Sequence, residues 1–441
     1  MNKKFIYVGI IQSVLILLIY FILVFIKNDS FLIFTFIYSF FLSFMIIRNT
    51  KKNLLFNDTK LIFLIFLFLY GIFNPIIEFI VEDKLSFSSY LATLIYASCI
   101  PAYTIGLIFI KSNNYDRNYE SKVNMNFKKD TSYNFFLLFI LLILLLYVSF
   151  DFYSQGILFK PTVALKTNRL ELFTEISQLK IVVGLFVTSI FLYFIYYYAT
   201  LSIRLKTIVI LLLSYFVLME LSVGNRKDFL PMIVGLFWVF VNTKKIKLTF
   251  LKFIFLLLGL FLFLFLGSIR ASATSDEAFN FLNLFLLTLS SNEFVYPFYT
   301  LGYSVSKFLN GTLIFSYGST IFFNPVLFFI PRLIFPGKPL SLAVQFVNDI
   351  DSTMGYAYSP VTEFFVNFGF IGPFFGFLFI GLIISKIQSL RDQRLNFILF
   401  TMILDFCRGE IGTFIYQLII VSFFIIILPT LISKKSHKIF K

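Results

Sequence analysis

The stretch KKFIYVGIIQSVLILLIYFILVFIKNDSFLIFTFIYSFFLSFMIIRNTKK, residues 3–52, holds two apolar runs joined by a short polar elbow. Phe5–Ile26 and Phe31–Ile47 each approach the ~20 residues that let a helix cross a hydrocarbon layer of ~30 Å. Lys3 and Lys4 precede the first run, and Arg48, Lys51 and Lys52 follow the second. Basic residues collect at the cytoplasmic ends of membrane spans. The stretch therefore reads as a helical hairpin that leaves the cytoplasm and returns to it. Phe5–Ile26 exceeds the ~7–15 residue apolar core of a signal peptide and lacks a small-residue cleavage site. It reads as a retained first helix.

The same pattern recurs outward along the chain. Further spans are expected at Leu61–Ile80, Tyr90–Ile110, Phe135–Phe150, Ile181–Ala199, Thr207–Val223 and Phe229–Val241. Phe253–Leu266, Ile371–Ile384, Leu395–Phe406 and Ile411–Ile432 complete the set. The basic clusters test the reading independently. Lys60, then Lys111 to Lys129, Arg204 with Lys206, Lys244 to Lys252, Lys386 to Arg394, and Lys434 to Lys441 all fall on the side of Lys3 and Lys4. One misplaced span would scramble that alternation. The expected fold is an all-α polytopic membrane protein of about twelve transmembrane helices, N-in and C-in. No internal repeat or low-complexity linker appears, so residues 1–441 read as a single integral membrane domain.

Composition agrees. Hydrophobic residues make up 59% of the chain and charged ones 13%, with mean hydropathy +0.91, too little polar surface to cover a soluble core. The net charge of +15 does not mark a nucleic-acid binder, because the basic residues are divided among short loops. Cys99 and Cys407 lie in or beside apolar segments without metal-ligand spacing, so neither a disulfide framework nor a zinc site is expected.

Two outer segments exceed hairpin length. Asp151–Lys180 contains Lys160, Lys166 and Arg169, and a large outer loop, residues 267–369, lies between spans 9 and 10. Ordered loops this long are usually functional. Within the larger one, Phe281–Leu289 and Ile321–Pro331 are apolar but too short to span, and are expected to form interfacial helices.

The ionisable residues locate the chemistry. A charge at a helix centre costs about 2.5–3.5 kcal/mol on insertion scales. Glu78, Asp151, Glu220, Asp405 and Glu410 all fall toward the outer ends of spans, either as helix caps and headgroup contacts or as the lining of an outward-facing polar cavity. The outer side also carries Arg226 in Gly224-Asn225-Arg226-Lys227-Asp228, and Arg270 at the start of the large loop. Arg332 and Lys338 stand in the 331–339 stretch PRLIFPGKP, and Arg408 in Cys407-Arg408-Gly409-Glu410. Arginine's planar, permanent charge suits bidentate binding of phosphate oxygens; contact with ordinary lipid headgroups is the plainer reading. A third constellation, Gly355-Tyr356-Ala357-Tyr358-Ser359-Pro360, leads through Glu363 to Asn367-Phe368-Gly369-Phe370-Ile371-Gly372. Its tyrosines suit sugar stacking or membrane anchoring. Asp349-Ile350-Asp351 is a D-x-D of weak specificity, and no metal site is expected. There is no phosphate-binding glycine loop, dinucleotide fingerprint or nucleophile elbow.

Gly224-Asn225-Arg226, the Pro-Arg…Pro-Gly-Lys-Pro stretch at 331–339, Glu363 through Gly372, and Arg408-Gly409, set in this topology, resemble the Wzy-type oligosaccharide repeat-unit polymerases of O-antigen assembly. Asn225 stands where that family commonly has serine. The resemblance implies a GT-C-like, metal-independent glycosyltransferase of the bacterial inner membrane with no cofactor and a periplasmic active site. Its substrate would be an undecaprenyl-pyrophosphate-linked oligosaccharide within membrane lipid, with a chain-length regulator and a flippase as partners. Arg226, Arg332 and Arg408 would stabilise the departing pyrophosphate, and Arg270, Lys338, Asn225, Tyr358 and Glu410 would bind substrate. Glu363 is the first choice for a base, with Glu410 or Asp228 second. A flippase would show shorter loops and internal pseudo-repeats. An O-antigen ligase would show a histidine in the large loop, whereas the single histidine here is His437.

Overall fold

A computed structural model describes residues 3–50, 58–110, 131–156, 158, 178–223, 229–244, 294–328, 330, 334–335, 337–351, 357–390 and 392–431. Among these residues every regular element is helical. Among the described residues, seven helices are long and apolar enough to cross a membrane: Val8–Ile26, Asp29–Arg48, Thr59–Glu82, Phe87–Phe109, Ser132–Ser154, Ile371–Ser389 and Ile411–Leu431. Val182–Tyr196 and Leu230–Thr243 are shorter apolar helices. Expected spans Thr207–Val223 and Leu395–Phe406 fall within helices Ile203–Val223 and Gln393–Cys407. Phe253–Leu266 lies outside the described residues.

The chain divides into two compact units. The first comprises Met1–Asn114, Lys245–Arg391 and Phe406–Thr413. Its membrane helices are α1 (Lys3–Ile26), α2 (Asp29–Thr50), α3 (Thr59–Glu82) and α4 (Phe87–Phe109). Helix α4 is central, with α1, α2 and α3 packed on it. Its small residues Ala92, Ala97, Cys99, Ala102 and Gly106 allow neighbours to approach from every side. Hydroxyls join the helices where hydrocarbon would leave polar groups costly. Tyr20 Oη donates to Ser39 Oγ at 3.0 Å, and Tyr90 Oη to the Leu23 carbonyl at 2.7 Å. Two carboxylates hold the turn between α3 and α4: Glu78 Oε1 accepts the Ser86 N–H at 2.7 Å, and Asp29 Oδ2 accepts that of Leu85 at 3.0 Å.

The second unit comprises Tyr115–Lys244, Asp392–Asp405 and Phe414–Lys441. Its helices α5 (Thr131–Ser154), α6 (Gln178–Tyr196), α7 (Ile203–Val223) and α8 (Leu230–Lys244) surround a core around Phe191, Phe194 and Phe216. Gly235 admits Leu192, Phe397 and Thr401, and Trp238 packs edge-on against Phe397. Glu220 is buried in this unit.

The large loop has more helix than its hydropathy suggests. After Phe294 stacks on Phe66 and Phe73 of α3, the loop forms α9 (Tyr296–Leu309), α10 (Ser319–Phe322), α11 (Asn324–Phe328), α12 (Leu342–Asp349) and α13 (Pro360–Phe368). Helices α10 and α11 occupy the expected Ile321–Pro331 region, while Phe281–Leu289 lies outside the described residues. Gly369, at φ +65°, turns the chain into α14 (Ile371–Ser389), a left-handed conformation that favours glycine. Helices α15 (Gln393–Cys407) and α16 (Ile411–Ser422), the latter continued by a π-helical turn at Phe423–Ile427, follow.

Candidate functional site

The site is built around α13. Ser359 takes extended backbone and its hydroxyl accepts the Thr362 N–H at 3.2 Å, while Pro360 occupies the first turn. This is a helix start with a side-chain cap and a proline whose missing N–H costs nothing. Tyr96 of α4 fixes the cap, donating from Oη to Ser359 Oγ at 3.1 Å. Thr300 of α9 reaches Thr362 Oγ1 at 3.3 Å. The N-terminal end of α13 is thereby joined to two helices.

Glu363, in the first turn of α13, is fully buried. Its Oε1 accepts the Thr320 hydroxyl at 2.8 Å, and its Oε2 accepts the Ile411 N–H at 2.5 Å. Asn367, one turn on, donates from Nδ2 to Thr320 Oγ1 and to the Glu363 carbonyl, both at 2.7 Å, and its Oδ1 accepts the Gly318 N–H at 2.7 Å. Glu410 is also buried, and its Oε1 accepts the Ala343 N–H at 2.8 Å. Burial and then the Glu410 charge raise the Glu363 carboxyl to about 8, although the Ile411 N–H and Thr320 hydroxyl favour its charged form.

Three stretches far apart in sequence thus meet: the α10 turn, the start of α13, and the Arg408–Ile411 turn between α15 and α16. Arg408 is half-buried within that turn. Tyr358 is buried beside Ser304 of α9. Lys338 is half-buried, with Nζ on the Ile330 carbonyl at 3.3 Å. Asp349 of the D-x-D pair is engaged by Lys307 Nζ at 2.5 Å. Arg226, Asn225, Asp228, Arg270 and Arg332 lie outside the described residues. An apolar pocket lined by Phe63, Leu67, Tyr96, Val361, Phe377 and Cys407 adjoins the α13 start.

Thr320, Ala343 and Asn367 are participants that sequence reasoning did not assign a role. Asn367 was visible only as part of a motif. Ser359-Pro360 carries the residue pattern of a capped helix start, a signal that could have marked the α13 boundary.

A multi-helical membrane protein with a buried carboxylate network beside an arginine-bearing turn is the class these features define. The family model for the O-antigen polysaccharide polymerase Wzy matches residues 8–438, and the chain belongs to that family. It is a multi-pass polysaccharide polymerase of glycosyltransferase type, with a lipid-linked oligosaccharide as its substrate in the membrane. Neither a curated protein nor a solved structure matches the chain.

Proposed function

We propose that the chain acts as a single membrane domain, residues 1–441, crossing the bacterial inner membrane about twelve times with both termini cytoplasmic and residues 267–369 in the periplasm. There it joins repeat units carried on undecaprenyl pyrophosphate. The anomeric carbon–oxygen bond to the carrier breaks, a bond to the acceptor sugar's hydroxyl oxygen forms, the hydroxyl proton passes to a base, and the lipid pyrophosphate departs. Charge grows on that leaving group, and prepositioned cations lower the barrier by meeting it. Arg226, Arg332 and Arg408 take this role without a divalent metal, supported by Arg270, Lys338 and Asn225.

The observation that carries this reading is the Arg408 turn. Glu410 and Ile411, two and three residues after Arg408, are bonded to helices of the large loop at Ala343 and Glu363. A flexible arginine costs entropy to immobilise, and a turn already tied at two consecutive residues lowers that cost before substrate arrives.

A deletion strain tests the activity. Loss of polymerisation should leave surface material with one repeat unit on the lipid core. Complete loss of surface product would instead assign the protein to flipping or ligation.

A further inference from the structure

Two of the three carboxylates suggested as bases by the sequence, Glu363 and Glu410, end on backbone amides. Glu363 has no exposed surface, and each of its oxygens has a donor. Ile411 opens α16, and the first N–H groups of a helix have no partner inside it. The positive end of the helix dipole also favours an oxygen acceptor there. One residue earlier, Glu410 holds the Ala343 N–H in the first turn of α12, which Ser341 already caps. The turn carrying Arg408 is therefore tied at two consecutive residues.

We propose that Glu363, backed by Thr320 and Asn367, is a positioning residue that holds the Arg408 turn in place for the pyrophosphate, and is not the base that deprotonates the acceptor. This rests on the reading of Arg408 given above. A base must come within ~2.6–3.2 Å of the proton it removes, and the Glu363 oxygens are already occupied and covered. Asn367 has the same bearing. Its amide is bonded at both ends, and one of those bonds fills a lone pair of Thr320, directing the Thr320 hydroxyl onto Glu363.

The geometry does not require a charged carboxylate. A neutral Glu363 keeps one oxygen on the Ile411 N–H and donates its own proton to Thr320 Oγ1. Glutamine reproduces that pattern, with its amide oxygen on Ile411 and its amide nitrogen donating to Thr320. A base, by contrast, has no substitute in glutamine.

The test uses the purified full-length protein in nanodiscs, with lipid-linked repeat units as substrate. Glu363→Gln should stay within about threefold of wild type, whereas loss of a general base costs about 10²–10⁴-fold. Glu363→Ala should raise KM for the lipid-linked donor about tenfold or more, and add nothing in an Arg408→Ala background, because coupled residues are not additive. Thr320→Val should weaken donor use in the same direction, with Thr320→Ser restoring it; this pair carries the test if Glu363→Ala does not fold. A hundredfold loss in Glu363→Gln with disappearance of the acid limb of the pH–rate profile would make Glu363 the base and overturn the proposal. Full additivity with Arg408→Ala would overturn it as well. Undiminished activity in Arg408→Ala alone would remove the arginine reading, a separate failure because Glu363→Gln is scored independently.

Discussion

Gly106 and Gly381 meet where α4 and α14 cross. A Cβ on Gly106 would lie 2.2 Å from the Leu378 carbonyl oxygen, and one on Gly381 would lie 2.4 Å from that of Tyr103. Ser385 adds a hydroxyl bond to the Leu107 carbonyl at 3.1 Å. Small residues let membrane helices approach to backbone contact, which yields van der Waals energy that lipid cannot replace. The crossing also supports the site. Helix α14 begins just after α13, and α4 supplies Tyr96 to the α13 cap.

Gly106→Ala and Gly381→Ala should each destabilise the protein by more than the about 1–3 kcal/mol typical of overpacking, because the new methyl meets backbone. Gly302 in α9 is the control. A methyl added there would have nothing within 4 Å, and alanine is the better helix former. Melting in detergent should show a lowered midpoint for the first two variants and an unchanged or raised one for Gly302→Ala. Equal midpoints in all three would remove the close crossing.

Helix-length apolar runs were legible because the bilayer imposes a length on each span independently. Helix α9 was not. Its sequence YPFYTLGYSVSKFL has serine, threonine and lysine in a short segment, and its burial comes from packing against α4 and α3. The site was legible in part. Glu363 and Arg408 stood out as polar residues in apolar surroundings, but their connection did not. Thr320 and Ile411 lie 43 and 48 positions from Glu363, and no local pattern encodes a hydrogen bond closed by tertiary packing.

The proposed periplasmic placement of the large loop leads to a labelling result. Ile314 is 87% exposed, and both cysteines are buried. A cysteine introduced by Ile314→Cys should react with a membrane-impermeant thiol reagent applied to spheroplasts. Reaction only after the inner membrane is opened would reverse the orientation.

The arginines are expected to depend on shape as well as charge. Arg226→Lys and Arg408→Lys keep the charge and lose the planar fork that grips two phosphate oxygens at once. Long polymer should fall about tenfold or more in each at normal protein level, a loss of at least about 1.4 kcal/mol of transition-state stabilisation. Wild-type ladders in both strains would refute guanidinium-specific recognition. If the arginines replace a metal, the purified protein should also polymerise in excess chelator. Activity lost on chelation and restored by magnesium or manganese would assign the charge stabilisation to a divalent ion.

Glu363 gives the protein a signature in stability against pH. Its carboxyl is raised from the ordinary 4.5 to about 8, first by burial and then by the charge of Glu410. Tyr358 shares this neighbourhood; its phenol is raised mainly by burial and also feels Glu363, Glu410 and Asp349. Because the folded state binds the Glu363 proton more tightly than the unfolded chain does, the stabilisation is complete below the unfolded value and is lost as pH rises through about 8. The thermal inactivation midpoint of the wild type in detergent should therefore fall between about pH 5 and pH 9. Glu363→Gln is neutral throughout and keeps both hydrogen bonds, so its midpoint should change much less over the same range. The two curves should lie close together at the acid end and diverge with the variant above the wild type as pH increases. Parallel curves would show that Glu363 titrates outside this window, and the burial and Glu410 effects would then be too weak to shift it as stated.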